Sequence, residues 1–129
     1  MLHLYFDEGA TQRIRDNTDP KVGSPDRFEV PVSGGEVQAL RYLWNDDPAF
    51  TYSHIRVSGF QDSGLIRLQY ALDEGGSPGV FQDWIVLEDG PYTTPYPIWV
   101  KVTFAPAESV TPALYVDIYH RIQAIEKPA

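Results

Sequence analysis

The sequence predicts an all-β domain: a two-sheet β-sandwich, immunoglobulin-like or jelly-roll-like, with about eight or nine short strands and an amino-terminal hairpin or arm. Three observations predict it. Polar and apolar residues alternate at the two-residue period of a half-buried strand in most segments, as in Ile66, Leu68, Tyr70 and Leu72 against Arg67 and Gln69. Turn chemistry separates these segments at intervals of roughly ten residues. No window sustains a helical period. A sandwich is preferred to a barrel because the strands differ in length and the connections 16–26 and 105–112 are long enough to pass between sheets.

Leu2, Leu4 and Phe6 alternate with His3 and Tyr5, and after Asp7-Glu8-Gly9-Ala10 the segment Thr11 to Arg15 can return beside them as a hairpin. Residues 16–26 are rich in Asp, Pro and Gly, the composition of a loose arm. Residues 1–26 are therefore read as hairpin and arm, and 27–129 as the sandwich, within one structural domain. Arg27 to Val32 makes a short strand and Ser33-Gly34-Gly35 a turn. Glu36 to Trp44 follows as a longer strand whose imperfect alternation suggests a bulge near Leu40. Asn45-Asp46-Asp47-Pro48 ends it, because Asn and Asp tolerate turn geometry and proline cannot continue a ladder. Thr51 to Val57 and Leu65 to Leu72 are the next strands, the second bounded by Gln61-Asp62-Ser63-Gly64 and by Asp73 to Gly79. Val80 to Leu87 is an ambiguous apolar stretch with Trp84 assigned to the core. Tyr92 to Pro97 must be extended but irregular, since its prolines lack ladder donors. Two long strands close the chain: Pro97 to Phe104, then Leu114 to Ile122, the latter with Leu114, Val116, Ile118, His120 and Ile122 on the inner face.

At 129 residues the chain suits one domain, and such a domain buries roughly two-thirds of the surface its unfolded chain exposes. It has no cysteine, which excludes disulfides, thiolate metal sites and a cysteine nucleophile. Ten Lys and Arg stand against eighteen Asp and Glu, for a net charge of −8, and the basic residues are scattered singly. That balance disfavours nucleic acid and anionic membrane as partners. The first residues lack the basic leader and longer apolar run of a signal peptide, so the expectation is a mature protein made in the cytoplasm.

Catalytic chemistry finds little support. His3, His54 and His120 lie in separate strand segments, and only convergence of all three would build a zinc site. Acidic pairs at strand ends suit turns and solubility; Asp46 and Asp47 would be the leading calcium ligands, but no loop supplies alternating oxygen ligands with the required glycine. No serine sits in a nucleophile elbow, and the strand-interior acids Glu29, Glu36, Asp83 and Asp117 do not single out a pair. The expectation is a protein that is not an enzyme and carries no metal or other cofactor.

Binding is better supplied. The chain holds eight Tyr, six Phe and three Trp, with Tyr92, Tyr96 and Trp99 crowded around prolines. Two extended tracts, Leu2 to Asp26 and Glu88 to Pro97, are poor at packing on themselves. They name Leu2, Leu4, Tyr5, Phe6, Ile14, Tyr92, Tyr96 and Trp99 as candidate assembly residues, the first five through addition of an amino-terminal strand to a neighbour's sheet edge, with a hairpin that pairs with its own sheet as the equal alternative. The alternative is a sugar-stacking face formed by Trp44, Tyr52, Tyr92 and Tyr96.

Several segments carry a resemblance: Leu2-His3-Leu4-Tyr5-Phe6-Asp7 with Thr11-Gln12-Arg13-Ile14, Leu43-Trp44-Asn45-Asp46-Asp47-Pro48 with Tyr52 and Ile55, Ala71 to Gly79, and Pro97-Ile98-Trp99-Val100-Lys101-Val102. In their order and pattern the chain resembles small β-sandwich virion structural proteins of tailed bacteriophages, such as capsid decoration or cement proteins and tail accessory proteins. The resemblance implies a non-enzymatic virion component, made in the host cytoplasm, that binds major capsid or tail protein subunits and forms a homo-oligomer in the assembled particle. A capsid decoration role is the leading expectation; a carbohydrate-binding module and a tail or baseplate adaptor are the alternatives. The position of Pro97 to Phe104 decides between docking regions: at a sheet edge its preceding loop would dock, and in a sheet centre the amino-terminal arm would have to.

Overall fold

The computed structural model describes residues 1–19, 21–31, 33–60, 66–104 and 113–129. Among these described residues, eight strands form two antiparallel sheets of four. They are β1 (Leu2–Tyr5), β2 (Asp26–Pro31), β3 (Gly35–Asn45), β4 (Phe50–Phe60), β5 (Ile66–Leu72), β6 (Ile85–Leu87), β7 (Tyr96–Phe104) and β8 (Ala113–Pro128). The first sheet runs β1-β3-β7-β5 and the second β2-β8-β4-β6. The two stay open and face each other as a sandwich, as the sequence predicts. Val32, the turn Gln61–Gly64, Leu65 and the loop Ala105–Pro112 lie outside the described residues.

The core follows from alternation. Ile98, Val100, Val102 and Phe104 of β7 point inward with Leu68 and Tyr70 of β5, meeting Ile55 and Val57 of β4 and Ile118 and Ile122 of β8. At about 25 cal/mol per Å² of apolar surface, each such side chain contributes roughly 1.5–3 kcal/mol. β7 lies between β3 and β5, so Pro97 to Phe104 is central.

Irregular segments cover the sheet margins. Outside β1, Phe6 N–H donates to Gln12 and Ile14 N–H to Leu4, so the expected return of 11–15 is made by single bridges rather than a full strand. The Asp7 carboxylate organises the turn by accepting the backbone N–H groups of Thr11 and Gln12. Outside β5, Gln82 exchanges both backbone bonds with Tyr70, and Gly79 N–H donates to Leu72.

The bulge falls elsewhere than expected. β3 keeps continuous register with β7 from Gly35↔Phe104 to Leu43↔Tyr96, and the irregularity lies in β4 between Ser53 and Arg56, where His54 adopts a φ of 54°. The imperfect pattern of β3 has another cause. Val37, Ala39, Arg41, Leu43 and Asn45 face inward, while Leu40, Tyr42 and Trp44 face out. A charged residue points into the core and three large apolar residues point away from it.

Candidate functional site

Arg41 turns inward because its counter-ion is there. Its Nε and NH2 groups donate to the two carboxylate oxygens of Asp26 at 3.0 and 2.7 Å, and its guanidinium lies over the rings of Phe6 and Phe28. Asp26 also accepts from His120 Nε2 at 2.7 Å. With that ring nitrogen donating, Nδ1 is left to accept the Tyr70 hydroxyl at 2.7 Å. Burial pushes the Asp26 carboxyl up, but the hydrogen bonds from His120 and Arg41, with the Arg41 charge, outweigh it and hold the group below its ordinary range. Tyr70 is driven the other way by burial, with the Asp26 charge adding to it, and stays protonated.

This Arg41–Asp26–His120–Tyr70 chain takes β3 and β5 from one sheet and β2 and β8 from the other, so it ties the sheets through the core. Its Asp–His pair has the outline of an oriented base, yet Asp26, His120 and Tyr70 are buried and both imidazole nitrogens are engaged. Both sheets contribute to the arrangement, and each of its bonded groups already has its partner inside the protein. A second buried pair lies beneath the arm: His3 Nδ1 and Asp16 at 3.1 Å, with Thr18 bonded to the same carboxylate. Burial pushes the Asp16 carboxyl up, but these hydrogen bonds leave it lowered.

The three histidines remain apart in role. His3 and His120 each serve a different aspartate, and His54 is exposed at the β4 bulge. Among the described residues no group of three or more His, Cys, Asp or Glu comes together to hold a metal ion. Asp46, the leading calcium candidate with Asp47, takes the amino-terminal ammonium at 2.8 Å.

The outer face of the first sheet is the surface that the register assembles. Leu40 lies opposite Trp99, which lies opposite Ala71; in the next row Tyr5 faces Tyr42 and Tyr42 faces Pro97; Trp44 follows, opposite His3. Leu40, Tyr42, Trp44, Pro97 and Trp99 are all half-buried. Both indoles are pinned: Trp44 Nε1 donates to the Thr93 carbonyl at 3.0 Å and Trp99 Nε1 to Asp73 at 2.9 Å. Tyr5 meets Trp44 edge to face, ring centres 5.6 Å apart. The register thus gathers a row of large, half-buried apolar side chains on the outside of the sheet, with the N–H groups of both indoles already bonded.

The residues named from sequence divide differently. Leu2, Leu4 and Ile14 lie in the core, Tyr5 is covered beside Trp44, and Phe6 packs under Arg41. This corrects the expectation that the amino-terminal side chains are offered to a neighbour: the margin of β1 is already occupied by its own chain. Trp99 sits on the outer face. Tyr92 and Tyr96 meet edge to face at 5.4 Å at one end of the sandwich, both packed against the core. Burial pushes the Tyr92 phenol up to about 12, and its hydroxyl donates to the Glu88 carbonyl at 2.6 Å. Tyr52 is buried with its hydroxyl on Glu126 at 2.6 Å, so Trp44, Tyr52, Tyr92 and Tyr96 do not form one exposed stacking face. Trp84, assigned to the core, is 46% exposed beneath Arg56, whose guanidinium lies 4.4 Å from its ring centre. Leu40 and Tyr42 are not among the candidate site residues read from the sequence; their signal is three apolar residues, with Trp44, sharing the parity opposite Leu43. Comparison with family models, curated proteins and solved structures gave no match to this chain.

Proposed function

We propose that this protein is a non-enzymatic docking domain of a virion surface, a decoration protein that attaches to coat subunits through the outer face of its first sheet. One observation carries the docking: β3 sends Leu40, Tyr42 and Trp44 outward, beside Pro97 and Trp99, while it buries Arg41. Rings held by their own N–H bonds lose little freedom on contact, and aromatic anchors of this kind concentrate binding energy. The virion address rests on the segment resemblance.

The test is co-sedimentation of the purified protein with shells of its source particle, using Tyr42→Ala and Trp99→Ala variants whose fold is checked by circular dichroism. Wild type should pellet with shells and the double variant should remain in solution. Free wild-type protein at saturating shell, or equal pelleting of the variant, defeats the proposal. Association with tails alone would make it an adaptor. Binding of neutral oligosaccharide that is lost in Trp44→Ala, without particle association, would replace docking by the carbohydrate-binding reading.

A further inference from the structure

A cleft of about 600 Å³ lies between the arm at Arg15–Asn17 and the strands at Ser58–Gly59 and Tyr119–Arg121. Its charges are unusual for this chain. Of seven arginines, Arg13, Arg27, Arg41 and Arg67 are ion-paired with Asp16, Asp117, Asp26 and Asp83, and Arg56 lies on Trp84. The other two, Arg15 and Arg121, have no carboxylate at ion-pair distance among the described residues, and both line this cleft. Arg15 spends one NH2 contact on the Gly23 carbonyl at 3.3 Å, and Asp117, whose carboxyl feels the Arg15 charge, is held by Arg27.

The remaining wall does not cancel that charge. The Asp16 carboxylate is taken up by His3 and Thr18. Both ring nitrogens of His120 are taken up by Tyr70 and Asp26. The Asn17 amide pairs with the backbone of Ile122, accepting its N–H at 2.9 Å. Two arginines without a carboxylate at ion-pair distance therefore line one cleft on a protein of net charge −8. Arginine matches the two oxygens of a carboxylate or phosphate. The cleft has the volume of a small-molecule site, and Tyr119, a residue 43% exposed, lines it with an aromatic side chain that can cover the body of a ligand.

We propose that this cleft binds a monosaccharide-sized organic anion, its carboxylate or phosphate held by Arg15 and Arg121 and its body against Tyr119. The site is separate from the aromatic face, and its failure would leave the docking proposal intact. The test is calorimetric titration of the full chain with glucuronate, glucose 6-phosphate, glucose and inorganic phosphate, with amide chemical shifts followed in parallel. At least one anionic sugar should bind at least about tenfold more tightly than glucose, weaken with added salt, and shift Ser58 and Gly59; preference between the two identifies the head group. Arg15→Gln and Arg121→Gln should each weaken it about tenfold. Their folding is checked by their unperturbed amide spectra. Equal binding of glucose, no binding of either anionic sugar, or undiminished affinity in well-folded arginine variants overturns the proposal. Inorganic phosphate binding as tightly as the sugars overturns the role of Tyr119.

Discussion

Replacing Asp26 by Asn tests whether the buried polar chain holds the sheets in register. One oxygen of Asp26 accepts from Arg41 NH2 and the other from both Arg41 Nε and His120 Nε2. Whichever way an asparagine amide lies, its NH2 confronts another donor, and Arg41, its side chain 13% exposed, loses its counter-ion. Removing one partner of a buried pair costs about 3–5 kcal/mol, against a total of roughly 5–15 kcal/mol for a domain. Urea unfolding followed by tryptophan fluorescence should show that loss, and the melting temperature should fall by at least about 10 °C. The pH dependence gives a second reading. A carboxyl held below its unfolded value contributes fully above about pH 3.9 and loses its contribution as pH falls through the folded value. The gap between wild type and Asp26→Asn should hold from pH 5 to 7 and narrow in acid, below about pH 4. A destabilisation under about 1 kcal/mol, or a gap unchanged down to pH 2, would refute the reasoning.

Gly59→Ala should destabilise by about 1–3 kcal/mol in the same unfolding assay, because a Cβ there would collide with Leu68 and with the Tyr70 hydroxyl that reaches His120. Asn17→Ala should cost about 1–2 kcal/mol and speed hydrogen exchange at Ile122 while leaving Val100 protected, since only the Ile122 backbone relies on that amide. Tyr92→Phe should flatten alkaline unfolding: the raised phenol contributes fully below its unfolded value of about 10 and loses its contribution as pH rises towards about 12. Ultraviolet titration should show one late-ionising tyrosine fewer in that variant.

The strands were legible where each side chain obeyed one role. β7 alternates Ile98, Val100, Val102 and Phe104 against Trp99, Lys101 and Thr103, and its period reads directly as a half-buried strand. β3 misled because two functions share it. Its parity puts Arg41 among inward residues, and a single sequence does not reveal that Asp26, fifteen positions earlier, is waiting across the sandwich. Asp16, Asn17 and Thr18 misled for a related reason. Their composition is that of a loop, but their side chains act as backbone does in a strand: Asp16 clasps His3, and Asn17 completes Ile122. Trp84 sits in a continuous apolar run that resembles core, yet Gln82 binds the margin of β5 and Ile85–Leu87 joins β4, so the run crosses between sheets and Trp84 is left outside.

The same crossings decide which kind of contact the surface favours. A bare strand edge invites pairing by another chain, and natural sheets blunt such edges with irregular cover. Here Gln12 and Ile14 occupy the outer margin of β1, Gly79 and Gln82 that of β5, and Asn17 prolongs the cover of β8 where β2 ends. A partner adding a strand at β1 would first have to displace bonds that the arm already makes, and would uncover Ile14 and the His3–Asp16 pair. A partner approaching the outer face breaks none of these bonds. The arm thus closes the β1 margin of its own sheet, and the outer face of Tyr42, Trp44 and Trp99, on which the docking proposal rests, is reached without disturbing it.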